Sequence, residues 1–298
     1  MKKIALLMLF ASTLAISGCV STSKLSFSEV GLLGLGEPEY ILREEISVNV
    51  NPSPSTVRPG RRMEAFFDVA NTGNTTLENV SLESVDSCVF SEGKLDEIPA
   101  NNIESGEKRT VNWNFSAPND INMGRTCDMR YRVSYDSMAR AVFNVRALSE
   151  DEYILREKAG DLDKLSDVRY EKTKTPVEIM ANVSEEQPMM AGDDFLVHFH
   201  LENKGDGFVR GRAIDEGDII MSYPQDILSL ESCQGRSSTK NGNKIYFHET
   251  DIRDGGTAKT SCKFSLEDSI DTSVTGTFHI DVGYTYVKDG SYTVSLEP

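Results

Sequence analysis

Beyond the first nineteen residues, apolar side chains recur at every second position in short runs, and polar stretches rich in turn residues part the runs. Met63, Ala65, Phe67 and Val69 alternate with Glu64, Phe66 and Asp68; Phe195, Val197, Phe199 and Leu201 alternate with Leu196, His198 and Glu202. A period of two is that of a strand with one face buried. Further runs are Leu77 to Val85, Val111-Trp113-Phe115, Tyr131-Val133-Tyr135 and Ala141-Phe143-Val145. They continue with Ile227 to Leu230, Ile245 to Phe247, Phe264-Leu266, Phe278-Ile280-Val282-Tyr284-Tyr286 and Tyr292-Val294-Leu296. Many short strands at this spacing predict an all-β sandwich fold and not a parallel α/β sheet. Residues 150–165 form a charged connector whose pattern fits a short helix.

The chain also repeats itself. Glu39-Tyr40-Ile41-Leu42-Arg43-Glu44 recurs unchanged as Glu152-Tyr153-Ile154-Leu155-Arg156-Glu157, and each copy stands before a segment of alternating apolar residues. It is the lead-in to a duplicated module, expected as a strand packed on its own domain, with edge capture of a partner strand as the functional alternative. Phe67 to Gly73 parallels Phe199 to Gly205, both a strand followed by Asn-x-Gly, whose residues tolerate positive φ where the strand must turn. Laying Phe115-Ser116 on Phe264-Ser265 puts Trp113 opposite Cys262. The expected organisation is a leader at 1–18, a tether and lead-in at 19–45, sandwich domains at 46–147 and 175–298, and the connector at 148–174.

The leader is the sharpest local signal. Lys2 and Lys3 precede an apolar run from Ile4 to Ile16, shorter than the roughly 20 residues a membrane helix needs, and the run ends in Ser17-Gly18-Cys19. Ile16-Ser17-Gly18-Cys19 resembles the lipobox of bacterial-type lipoproteins, which implies cleavage before Cys19, lipidation of its thiol and anchoring on the extracytoplasmic face of a cell membrane. Two acyl chains or more make such an anchor stable. Five cysteines leave an odd one, and assigning Cys19 to lipid leaves Cys88, Cys127, Cys233 and Cys262. Export to an oxidising compartment makes two disulfides the expectation, with Cys88–Cys127 and Cys233–Cys262 the economical pairing. Leu32-Leu33-Gly34-Leu35-Gly36 in the tether is an apolar patch, read as a strand packing on the sandwich or as an interfacial contact.

Residues Ala65 to Val80, a strand followed by Asn71-Thr72-Gly73 and Leu77-Glu78-Asn79-Val80, together with Gly106-Glu107 before the strand Arg109 to Phe115, resemble the CARDB-type immunoglobulin-like modules of archaeal and bacterial surface proteins. The resemblance covers residues 46–145 and, more loosely, 177–296, where an insertion at 215–223 departs from it. It implies seven-stranded sandwiches and a role in adhesion or surface assembly, with no catalytic residues.

Composition narrows the chemistry. The 47 acidic side chains exceed the 31 lysines and arginines, and the leader holds two of those lysines, so the surface repels nucleic acid. His198 and His200 share one face of a strand and are candidate metal ligands, given a third from His279 or Asp281; exposed neighbours of a buried Phe199 is the plainer reading. Asp215, Glu216 and Asp218 cluster with Gly217 but lack the order of a calcium loop, and Asp161 and Asp163 are similar, so all are read as solvated acids. Sequons at Asn74, Asn79, Asn114 and Asn182 are candidate glycosylation sites, with Asn79 and Asn114 facing outward by strand phase. No nucleophile elbow, zinc-protease helix or phosphate loop occurs, and no cofactor is implied. The sequence therefore points to a non-enzymatic, membrane-anchored surface protein with a protein or envelope partner. A tethered accessory subunit of an envelope enzyme or transporter, and a metal-binding surface protein, are the alternatives.

Overall fold

The computed structural model describes residues 44–298 apart from 96–100, 121–122, 167–168, 235–237, 253–255 and 258. The leader, Cys19, the 32–36 patch and all but Glu44 of the first hexapeptide lie outside the described residues. Residues 41–298 form one compact unit.

The alternation produces the sheets it predicts. Arg62–Asn71 buries Met63, Ala65, Phe67, Val69 and Asn71 on one face, and Asp194–Asn203 buries Phe195, Val197, Phe199 and Leu201. One four-stranded antiparallel sheet has the order Ile46–Ser53, Arg62–Asn71, Lys108–Ser116, Ser91–Leu95; another has Leu228–Gln234, Thr260–Leu266, Asp194–Asn203, Val177–Val183. Both pack on a third sheet built on two strands of 24 residues, Arg125–Leu148 and Ser273–Leu296. These two pair antiparallel without a register break, from Arg125 opposite Leu296 to Leu148 opposite Ser273. At about 3.3 Å per residue each runs for roughly 80 Å, the length of both sandwiches.

The long strands are shared between the sandwiches. Tyr131 and Tyr292 both pack edge-on against Phe67, at 5.3 and 5.7 Å between centroids, so the start of the first long strand and the end of the second close the first sandwich. Phe143 stacks on Phe278 at 5.0 Å, and Phe278 meets Phe264 at 5.1 Å, so the remaining halves close the second. The first sandwich is closed by a strand from the second module, and the second by a strand from the first. Short edge strands mark the correspondence: Thr56–Val57 runs parallel to Ser295-Leu296, and Met189–Met190 runs parallel to Ala147-Leu148. A cis Ser53-Pro54 bond precedes the first of these and a cis Gln187-Pro188 bond the second. This is an immunoglobulin-like topology in which the closing strand of each sandwich has been exchanged for that of the other. Tyr292, from the expected 175–298 domain, packs in the first core, and Phe143, from the expected 46–147 domain, packs in the second.

The internal alignment holds residue by residue in the register. Trp113 pairs with Ala65, and Cys262 pairs with Val197, the residue that the repeat places on Ala65. Asn71 Oδ1 accepts from the Gly73 amide (2.9 Å) while its Nδ2 donates to the Thr75 carbonyl (2.7 Å); Asn203 repeats this with Gly205 (3.1 Å) and the Gly207 carbonyl (2.8 Å). Neither glycine takes a positive φ. They are required by crowding: a Cβ on Gly73 would lie 3.1 Å from Glu45 Cγ, and one on Gly205 would collide with the Tyr286 hydroxyl.

The second hexapeptide is not a strand. It lies within the helix Glu150–Ala159, which Ser149 caps through Oγ (3.4 Å from the Glu152 amide) and Gly160 ends at φ 68°. Glu152 and Arg156 stand one turn apart and pair at 2.6 Å, a spacing that stabilises a helix, whereas a strand would set the two about 13 Å apart. Leu155 is 61% exposed. A 3₁₀ turn, Leu162–Leu165, follows in the connector.

Candidate functional site

Where the long strands cross from one sandwich to the other, their phase turns Asp136, Met138, Gly283 and Thr285 to the outer face. The segment after Phe208 borders them and lines a half-open cleft of about 530 Å³, walled by Glu78, Asp136, Arg210, Asp215, Asp218 and Thr285 among others. Asp136 is fixed from both sides, accepting from Asn79 Nδ2 (2.7 Å) and Thr285 Oγ1 (2.5 Å). Asp218 is held through its carbonyl, which accepts from the Gly283 amide at 3.0 Å. Burial, helped by the charges of Asp215 and Asp136, raises the Asp218 carboxyl above its ordinary pKa. Arg210 Nη2 donates to Ser134 Oγ (2.8 Å), which lies 2.7 Å from Ser81 Oγ. The cleft is therefore a recess of mixed polarity at the waist of the molecule, whose charged groups are mainly acidic.

The acids flagged around Gly217 divide at this point. Asp215 and Asp218 line the cleft, while Glu216 turns away to His248 (2.8 Å). Glu78, Asp136 and Arg210 carried no local sequence signal, since the shared strands bring them there from separate modules. Asp161 is paired with Lys164, and this lowers its carboxyl pKa. Among the described residues no three His, Cys, Asp or Glu side chains are grouped to hold a metal ion.

His198 and His200 do project from one face. His198 Nδ1 lies 2.6 Å from Ser261 Oγ, and His200 Nε2 lies 3.1 Å from Glu202 Oε1, which belongs to a carboxylate also bound by Lys204. Burial, with the charge of Lys259 as a smaller cause, lowers the His198 pKa. The third ligand sought from His279 or Asp281 is not there. Those residues stand on the outer face of the opposite sheet, with Phe195, Phe264 and Phe278 between, and Asp281 is paired with Arg140 at 2.6 Å.

The four cysteines pair as Cys88–Cys127 and Cys233–Cys262. The staples differ: Cys233 and Cys262 face each other on adjacent strands, whereas Cys88 reaches Cys127 from the turn after Glu78–Asp86. Asn74, Asn79 and Asn182 are exposed. Asn114 points outward but is half-buried, because Gly93 passes close over it.

No family model matches the chain, and no curated protein sequence matches it. Solved structures that align with it include the secreted serine protease VesC from Vibrio cholerae, at 10% identity, 76% of this chain, 48% of that one and a TM-score of 0.20. The yeast delta-COP-I mu-homology domain aligns at 10% identity over 78% and 80% of the two chains with a TM-score of 0.21. The collagen adhesin CNA from S. aureus aligns at 7% identity over 84% and 92%, with a TM-score of 0.20. The chain spans about half the length of the protease. Likenesses at this level carry no argument about ligand or mechanism.

Proposed function

We propose that the chain is a non-enzymatic, lipid-anchored surface protein that presents an interlocked pair of immunoglobulin-like sandwiches, of CARDB type, for adhesion or envelope assembly. One observation carries the reading: Cys88, Cys127, Cys233 and Cys262 are consumed in two disulfides, and of the five cysteines only Cys19 is left over, at the end of the lipobox-like leader. Disulfides of this kind belong to an exported protein, and a cysteine following Ile16-Ser17-Gly18 is suited to take lipid. Continuous strands across both sandwiches make a stiff presenting element. Its binding partner would be a protein or an envelope component, since the acidic surface disfavours nucleic acid.

Replacing Cys19 tests the anchor. The Cys19→Ser protein is expected to leave the membrane fraction or to retain its leader uncleaved. A variant that is cleaved correctly and still sediments with membranes overturns the assignment. Deleting the protein is expected to weaken attachment or envelope integrity; abolished turnover of a defined substrate would contradict the non-enzymatic reading.

A further inference from the structure

Glu45 stands at the waist, at the entrance to the strand Ile46–Ser53, and is 0% exposed. Its carbonyl is pinned by the amides of Thr72 (2.8 Å) and Gly73 (3.3 Å). Its side chain receives one hydrogen bond, from Thr75 Oγ1 to Oε1 at 3.1 Å, while Oε2 has none. The hydroxyls of Ser137 and Tyr284 lie beside it.

The second sandwich shows what this position needs structurally. There Pro176 takes the place of Glu45, its carbonyl accepting from the Lys204 amide at 2.7 Å as that of Glu45 accepts from Thr72. Counting back from the equivalent pairs Val57–Leu296 and Met189–Ala147, Ser137 holds the place of Tyr286. Tyr286 fills its side of the waist and hydrogen-bonds Asn203 Oδ1 (2.9 Å) and the Gly207 amide (3.0 Å). One sandwich thus closes the waist with tyrosine and proline, the other with serine and a buried acid. Packing alone does not require the acid.

Among the described residues, the groups facing Glu45 supply no positive charge. They are Tyr135 and Ser137 from the first long strand, Tyr284 from the second and Thr75 from the turn; burial raises both tyrosine pKa values, so these rings stay neutral. Lys288, also at the waist, is engaged by Asp206 (2.9 Å) and Glu44 (3.2 Å). An ionised Glu45 would be a buried charge without a counterion among the described residues, which is strongly disfavoured.

We propose that Glu45 is a protonation latch: as the neutral acid it seats the strand Ile46–Ser53 against the waist, and on ionising it withdraws and frees the N-terminal end of that strand. Burial raises the carboxyl above its ordinary value of 4.5, in the direction this requires. The folded protein then holds the proton more tightly than the unfolded chain. The stabilising contribution is full below 4.5 and is lost as pH rises through the elevated folded-state value.

Hydrogen exchange of the Ser47 and Asn49 amides, which face Ala70 and Asp68 across the sheet, tests the latch in the native protein and in Glu45→Gln once corrected for intrinsic rates. In the native protein the opening equilibrium is expected to rise about tenfold per pH unit across the window above 4.5, and in Glu45→Gln to stay flat. Parallel profiles in the two proteins overturn the proposal. The carboxyl carbon shift of Glu45 reads its protonation without any substitution, and an ionised Glu45 in a protein whose first strand is still protected overturns it equally.

Discussion

Tyr292, near the end of the chain, places its ring edge-on against Phe67, near the start of the described residues, at 5.7 Å between centroids. That contact exists because the strand carrying Tyr131 does not turn back at Asp136 to pair with its own successor. It runs straight on into the other sandwich, and the second long strand does the same in the opposite direction. The consequence is mutual dependence, for neither sandwich has a complete sheet without the other.

Ending the chain after residue 283 is therefore expected to unfold the first sandwich, although every residue of Ile46–Ser116 is kept. The deletion removes Tyr286, Val294 and Leu296, all buried, and half-buried Tyr292. A buried side chain of this kind contributes roughly 1.5–3 kcal/mol, and the loss approaches the 5–15 kcal/mol that holds a typical domain. Trp113 emission reads the outcome: a solvent-exposed spectrum is expected, and a native spectrum would contradict the shared-strand account.

The strands themselves were legible in the sequence. So was the register of the repeat, since laying Phe115 on Phe264 put Trp113 on Cys262 and the two pair with equivalent partners. The exchange was not legible. Alternation from Tyr131 to Ala147 is the same whether a hairpin or a straight strand joins its halves, and Asp289-Gly290 resembles a turn although it lies mid-strand opposite Arg132 and Tyr131. Gly290 is there because a Cβ would strike the Tyr131 ring. The hexapeptide misled for a different reason: Tyr-Ile-Leu suits a strand, but the cap at Ser149 and the Glu152–Arg156 pair favour a helix. Only the Asp215 and Asp218 side of the waist cleft had a local signature; Glu78, Asp136 and Arg210 had none, because the exchange brings them there from both modules.

Gly205 and Gly283 separate crowding from conformation. Gly205→Ala is expected to cost about 1–3 kcal/mol through collision with the Tyr286 hydroxyl and Pro176. Gly283→Ala, whose Cβ would meet nothing closer than Asp218 at 3.9 Å, is expected to be neutral or slightly stabilising. Chemical denaturation midpoints decide, and equal effects would contradict the close-approach explanation.

The two disulfides span 39 and 29 residues. Chain-entropy arguments assign each roughly 3–4 kcal/mol. Peptide mapping without reduction is expected to return Cys88–Cys127 and Cys233–Cys262 alone. Replacing either pair with serines should lower the denaturation midpoint of the whole molecule, since the sandwiches share their long strands; an effect confined to one sandwich would be inconsistent with that coupling.

The most direct test of the interlocked fold is the denaturation midpoint of Trp113, the single tryptophan and a reporter on the first sandwich, measured in the native protein and in Phe278→Ala. Phe278 is fully buried in the second sandwich, and its truncation costs about 3–5 kcal/mol. If the sandwiches are completed by each other's strands, the Trp113 midpoint falls together with that of the molecule as a whole. A Trp113 midpoint unchanged by Phe278→Ala, with the second sandwich alone destabilised, would contradict the account.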